Sequence, residues 1–192
     1  MLRASSKRGI TILEMLLVAA LLSIFAAALI PSASPSVHRQ LHTAGEWLQA
    51  DLAYCRSLAI TRGSPHRLTF LISENIYVLE HSGVDSAHDR LPAPHFQFVA
   101  DPPHRRTTPL EMIPSTGGGV RLLSVQAIDE HGSRTIQEVE FGPLGQTTRP
   151  ETILIRLSAG TGADRRNLSV GIHPVTGLTT LENYSVVENR EF

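Results

Sequence analysis

The chain has 192 residues, with 17 Lys and Arg against 18 Asp and Glu, a formal net charge of −1, and one cysteine. Near-neutrality argues against the broad basic character of a protein that coats nucleic acid, and a lone cysteine excludes an internal disulfide. Hydrophobic residues make up 42%, but unevenly: one N-terminal stretch is apolar enough for lipid, and the rest is an ordinary polar chain.

That stretch, Ile10 to Ile30, is 21 residues long, and only Thr11, Glu14 and Ser23 in it are polar. As a helix rising about 1.5 Å per residue it extends roughly 31 Å, the hydrocarbon thickness of a bilayer. Arg3, Lys7 and Arg8 precede it and no acidic residue does, which places the N-terminus in the cytoplasm under the positive-inside tendency. About 160 residues follow, enough for one domain with a real core. Three readings compete for the run. For a cleaved secretory signal it is long, and its small-residue motif Ser32-Ala33-Ser34 runs straight into Pro35. A plain signal anchor leaves Glu14 unexplained, because an unpaired acid in a spanning helix costs on the order of 3 kcal/mol.

The third reading accounts for the acid. Gly9-Ile10-Thr11-Ile12-Leu13-Glu14, between a short basic leader and the apolar run, resembles the class III signal of type IV pilins and type II secretion pseudopilins. The resemblance implies that a cytoplasmic prepilin peptidase cuts after Gly9 and methylates the new N-terminus at Ile10. It also makes Glu14 the residue that sets assembly register. Ile10 departs from the Phe or Met most often found there. Pro31 falls where pilin helices often carry a proline, which predicts a helix kink. Physically, a carboxylate in lipid is tolerable when it meets a cation, such as a neighbouring subunit's N-terminal amine. A misregistered neighbour would leave both charges unpaired.

From Val37 to Ala59, the apolar positions Val37, Leu41, Ala44, Leu48, Leu52, Cys55 and Ala59 recur at steps of three or four. That spacing predicts an amphipathic helix, with Trp47, Leu58 and Ile60 broadening its face and Gly63-Ser64-Pro65 ending it. After Pro65 the period changes to that of strands: Arg67 to Ile72 and Ile76 to Leu79, joined at Ser73-Glu74-Asn75. A proline-rich passage from Pro92 to Pro114 contains a candidate short strand, His95 to Val99. Strands Val120 to Ile128 and Thr135 to Phe141 follow, turned at Glu130-His131-Gly132-Ser133. Thr152 to Leu157, Asn167 to Ile172 and Leu178 to Leu181 complete an antiparallel head. The expected organisation is a leader over 1–9, a transmembrane helix over 10–30, an amphipathic stem over 31–62 and a β-rich head over 63–192. The fold class is α+β, one long helix packed on an antiparallel sheet.

"ADLAYCRSLAITRGSPHRLTF" resembles the helix-to-strand passage of the H-type minor pseudopilins, which group with the FimT minor pilins (GspH/FimT). "VEFGPLGQ" followed later by "LSVGIHPVTGLTTL" resembles their closing sheet, through the turns Gly142 to Gly145 and Pro174 to Gly177. The segment 83–119 matches no such pattern. The resemblance implies a minor subunit of a type II secretion pseudopilus that assists protein export across the outer membrane, not an enzyme. It would sit in the bacterial inner membrane by a single pass, with its head in the periplasm. Its partners would be other pseudopilins, the prepilin peptidase and membrane lipid, with no cofactor. The alternative is a FimT-like minor type IV pilin involved in pilus assembly or DNA uptake.

Charge weighs against DNA. Setting aside Arg3, Lys7, Arg8 and Glu14, the rest of the chain has 14 basic and 17 acidic residues, a formal −3. Phosphate binding wants a concentrated basic patch, and only Arg105-Arg106 and Arg165-Arg166 offer one, the latter being the candidate DNA contact. Other chemistry has weak signals. His38 and His42 lie four apart on a helix with no third metal ligand in view. Asp85, His88 and Asp89 form a polar loop cluster expected to be solvated. Gly117 to Gly119 lacks the lysine of a phosphate loop and reads as a lead into a strand. No Gly-x-Ser-x-Gly elbow is present. Cys55 lies on the helix's apolar face, where a small buried hydrophobe is expected.

Overall fold

In the computed structural model, which describes residues 11–29, 36–93 and 98–184, the apolar run forms helix α1, Ile12–Leu29. Thr11 starts it: its Oγ1 accepts the Glu14 N–H at 3.3 Å, half of the reciprocal arrangement favoured by a Thr-x-x-Glu sequence. From Ile12 to Phe25 the side chains of α1 are exposed. Among the described residues no helix is long and apolar enough to cross a membrane. The 18 residues of α1 rise about 27 Å, against a hydrocarbon core of about 30 Å. The chain divides into two compact units, Met1–Ser34 and Pro35–Phe192.

The second unit begins with α2, Val37–Arg62. Ser36 Oγ accepts the Arg39 N–H at its start. At its end Gly63 turns left-handed (φ 59°) while the Gly63 and Ser64 N–H groups bond the Ile60 and Ala59 carbonyls. Leu41, Ala44, Leu48, Leu52, Cys55, Leu58 and Ala59 are buried, so the period read from the sequence is the face that packs. Val37 and Trp47 are half-buried, and Ile60, expected to widen the face, is exposed. Gly45 permits close approach to the sheet, since a Cβ there would collide with Leu168 Cδ2 and lie 3.1 Å from Leu181 Cδ2.

Among the described residues nine strands follow: β1 His66–Leu71, β2 Ile76–His81, β3 Arg105–Pro109, β4 Val120–Asp129, β5 Gly132–Thr135, β6 Glu138–Phe141, β7 Thr152–Ala159, β8 Arg166–Ile172 and β9 Thr179–Tyr184. They form two sheets in the orders β3-β2-β1-β6 and β5-β4-β7-β8-β9, with every pairing antiparallel. Both sheets pack on α2, and one apolar cluster joins its stripe to Leu68, Phe70, Val139 and Phe141 of the first sheet and Ile153, Ile155, Leu157 and Val170 of the second. Asn75, left-handed at φ 58° in the β1–β2 turn, ties the sheets together. Its Nδ2 donates to the Val120 carbonyl at 2.9 Å and its Oδ1 accepts the Leu122 N–H at 2.8 Å.

Two expectations are corrected. Thr135 to Phe141 is not one strand: Thr135 pairs with Gln126 in the second sheet, whereas Glu138 pairs with Thr69 in the first. The chain crosses between sheets at Ile136, which is buried and bonded to the Val125 carbonyl, and at Gln137, whose carbonyl takes the Phe70 N–H. Burial of Ile136 between two ladders breaks the alternation that a single strand would keep. In the proline-rich passage, Phe98 and Val99 form a bend, and residues 95–97 of the expected strand lie outside the described residues. The strand there is β3, an edge strand, which tolerates the terminal Pro109.

Candidate functional site

Of the residues marked by the class III resemblance, Gly9, Ile10 and Pro31 lie outside the described residues. Glu14 sits in the first turn of α1, where the helix dipole favours an anion. It is exposed, among exposed Ile12, Leu13, Met15, Leu16, Leu17 and Val18. A helix apolar on all sides has no single core-facing stripe, and Glu14 is the one charged side chain of α1.

The C-terminal end of α2 carries a polar cluster. His66 and His81 are cross-strand partners on β1 and β2, their rings edge-to-face at 5.0 Å, and His88 meets His81 from the next loop at 5.8 Å. Asp89 Oδ1 lies 2.8 Å from His81 Nδ1 and Ser64 Oγ 2.7 Å from His81 Nε2. With Nδ1–H donating to Asp89, Nε2 accepts the serine hydroxyl, the order of a nucleophile, base and orienting acid. Gly83 stands over that end of the chain, because a Cβ on it would collide with both Ser64 Oγ and His81 Nε2. A cavity of about 440 Å³ lined by Ser64, Ser82, Gly83 and His88 opens beside the relay, whose bonds clasp the helix end to the sheet. Arg62 reinforces the clasp, donating to the His88 and Arg90 carbonyls at 2.6 and 2.9 Å. His66 donates through Nδ1 to the Ser64 carbonyl at 2.9 Å, and burial pushes its pKa below the usual histidine value. The expectation that the Asp85, His88 and Asp89 cluster is merely solvated is therefore corrected for Asp89, which orients a buried histidine.

A second polar group lies mid-helix. Asp51, buried on α2, accepts the Tyr77 hydroxyl at 2.8 Å and the Thr108 hydroxyl at 3.4 Å on Oδ2, and pairs with Arg106 on Oδ1. The Arg106 guanidinium also lies 4.9 Å over the Tyr54 ring. Burial, then the adjacent Asp51 charge and its hydrogen bond, push the Tyr77 hydroxyl well above its ordinary range. The network joins α2 to β2 and β3. Cys55, one turn along, is buried, and burial followed by the Asp51 charge pushes its thiol well up.

Arg165 follows the 3₁₀ turn Gly162–Asp164 and donates through Nε to Ser158 Oγ at 3.0 Å. Arg166 opens β8, exposed, and donates to the Arg165 carbonyl at 3.2 Å. Arg165 is thus tied to β7, and Arg166 bonds its neighbour's backbone. His38 and His42 lie 6.2 Å apart, with His42 engaged by Glu46 at 3.2 Å. Among the described residues no group of three His, Cys, Asp or Glu side chains is placed to hold a metal ion. Ser64, His66, His81 and Asp51 were not singled out from sequence. The one available signal was register, since a hairpin centred between Ser73 and Glu74 places His66 opposite His81.

No family model and no curated protein is a significant match to the chain. Among solved structures, the type IV minor pilin FimU of Pseudomonas aeruginosa superposes with 17% identity and a TM-score of 0.45, over 74% of this chain and 92% of that one. In a second crystal form of FimU the values are 13%, 0.46, 77% and 90%. The minor pseudopilin EpsH from the type 2 secretion system of Vibrio cholerae superposes with 14% identity and a TM-score of 0.48, over 75% of this chain and 97% of that one.

Proposed function

We propose that this protein is a minor pseudopilin, a structural subunit that packs laterally into a short type II secretion pseudopilus and acts by assembly, not by turnover. The observation that carries the reading is Glu14: a single carboxylate, exposed in the first turn of an otherwise apolar helix, five residues beyond the glycine of a class III signal. In this reading prepilin peptidase cuts after Gly9 and methylates Ile10, the run 10–30 anchors the chain in the inner membrane, and the head stands in the periplasm. Pro31 kinks the helix where it leaves the bilayer. Glu14 then pairs with the N-terminal amine of an adjacent subunit, a contact stabilised by the low dielectric and lost on any register slip.

The test is mass spectrometry of the N-terminus of protein purified from membranes. A chain beginning at methylated Ile10 supports the proposal, whereas one beginning at Met1 or beyond Ser34 refutes it. Glu14→Ala is expected to be processed normally and to be lost from cross-linked filaments; normal co-assembly would remove the register role.

A further inference from the structure

A cleft of about 630 Å³ opens where the first turn of α2 meets the start of β4 and the β7–β8 loop, with Gln40, Gly119, Arg121, Gly160, Gly162 and Arg165 on its walls. Both charged side chains on its wall are basic. Arg67, Arg105, Arg106, Arg134 and Arg149 each stand within ion-pair distance of a carboxylate. Arg121 and Arg165 have no carboxylate partner among the described residues, and no acidic side chain lines the cleft. Asp164 lies in the adjoining turn with its carbonyl against Gly160, and Glu111 lies beside Gly118.

The two guanidiniums are brought together by the sheet. Arg121 on β4 is the cross-strand partner of Ser158 on β7, so both side chains lie on one face within about 5 Å at Cβ. Ser158 is buried, and its Oγ holds Arg165 by Nε at 3.0 Å. That single bond fixes the guanidinium plane and leaves the Nη groups, which bond nothing else among the described residues, as a donor pair. Around them the backbone is kept free of side chains: Gly118, Gly160 and Gly162 have φ of 70°, 83° and 56°, and a Cβ on Gly162 would meet nothing within 4 Å. Two guanidiniums beside glycine backbone, with no acidic side chain on the cleft wall, match the three-oxygen face of a phosphate.

We propose that this cleft binds a phosphate group, and that the phosphate is that of an anionic lipid headgroup. The choice of source rests on the reading of α1 as a membrane anchor: only residues 30–36 separate Leu29 from the α2 turn that walls the cleft.

The test uses the full chain in a non-ionic, phosphate-free detergent, titrated in a calorimeter with inorganic phosphate, with short-chain phosphatidylglycerol and with a single-stranded oligonucleotide. Both phosphate and phosphatidylglycerol are expected to bind. Arg121→Gln and Arg165→Gln should each weaken both by about tenfold, the first without moving the melting temperature, while Arg166→Gln changes neither affinity. Unaltered affinity in the Arg121→Gln/Arg165→Gln double variant overturns the site. Phosphate binding without phosphatidylglycerol binding overturns the lipid assignment alone and leaves the cleft standing, whatever the N-terminal processing proves to be. Oligonucleotide binding more than tenfold tighter than phosphatidylglycerol, and lost in the double variant, overturns the lipid source in favour of nucleic acid.

Discussion

Replacing Asp51 by alanine removes the acceptor shared by Tyr77, Thr108 and Arg106. Tyr77 and Thr108 are almost wholly buried, so water cannot reach their hydroxyls once the carboxylate is gone. Each stranded hydroxyl costs about 1–3 kcal/mol, and the Arg106 side chain, only 19% exposed, loses its counter-charge. Breaking a buried pair from one side typically costs about 3–5 kcal/mol, which we take as the expected loss, from a total stability of about 5–15 kcal/mol. At a urea dependence near 2 kcal/mol per molar, the midpoint should fall by about 2 M. Trp47 is the only tryptophan and packs on Phe98 at 5.5 Å, so its fluorescence follows α2 leaving the sheets. Asp51→Asn keeps an acceptor for Tyr77 and should lose about half as much. In a double-mutant cycle, Asp51→Ala on an Arg106→Ala background should cost at least 1 kcal/mol less than alone. A loss below about 1 kcal/mol for Asp51→Ala would refute the view that this network fastens the helix to the first sheet.

Other outcomes follow from the same geometry. Gly45→Leu should destabilise the head by at least 1–3 kcal/mol in urea unfolding, because Leu168 occupies the space; the roughly 1 kcal/mol of regained helix propensity does not offset the overlap. Cys55 should resist maleimide and thiol–disulfide reagents until the head unfolds, since burial removes both access and thiolate; native-state labelling would contradict the core position. His66 binds protons less readily folded than unfolded, so stability should hold above its unfolded pKa near 6.5 and fall as pH drops through the window below it. His66→Gln should flatten that part of a melting-temperature profile, and a fall of equal size in the variant would assign the effect elsewhere.

Much of the head was legible because its elements follow simple periods. The three-and-four spacing of Leu41, Ala44, Leu48, Leu52 and Cys55 is the face α2 buries, and Gly63 ends the helix where a left-handed residue is required. The β1–β2 hairpin and strands β7 and β8 were readable within two residues, since alternation and turn residues coincide there. What escaped depends on pairing across distance. Ile136 reads as an ordinary strand residue, and only the presence of two ladders reveals the crossing. Asp51 looks like a solvent-facing helix position until Arg106, 55 residues later, meets it. The Ser64–His81–Asp89 relay needed the hairpin register and the return of the 82–90 loop, neither of which has a local signature. β3 was hidden because its short run sits among prolines, and it is an edge strand with only one neighbour to satisfy.

The crossing at Ile136–Gln137 has a consequence for how the head can be built or altered. In chain order the strands serve the first sheet three times, the second twice, the first once, then the second to the end. Neither sheet is therefore a contiguous piece of polypeptide: the first is incomplete until β6 arrives, by which point β4 and β5 of the second have already emerged. A head emerging N-terminus first must hold β1 with one flank unpaired until β6 has followed, and a chimera exchanging either sheet alone would need several breakpoints in place of one. The head is transplanted, lost or inherited whole.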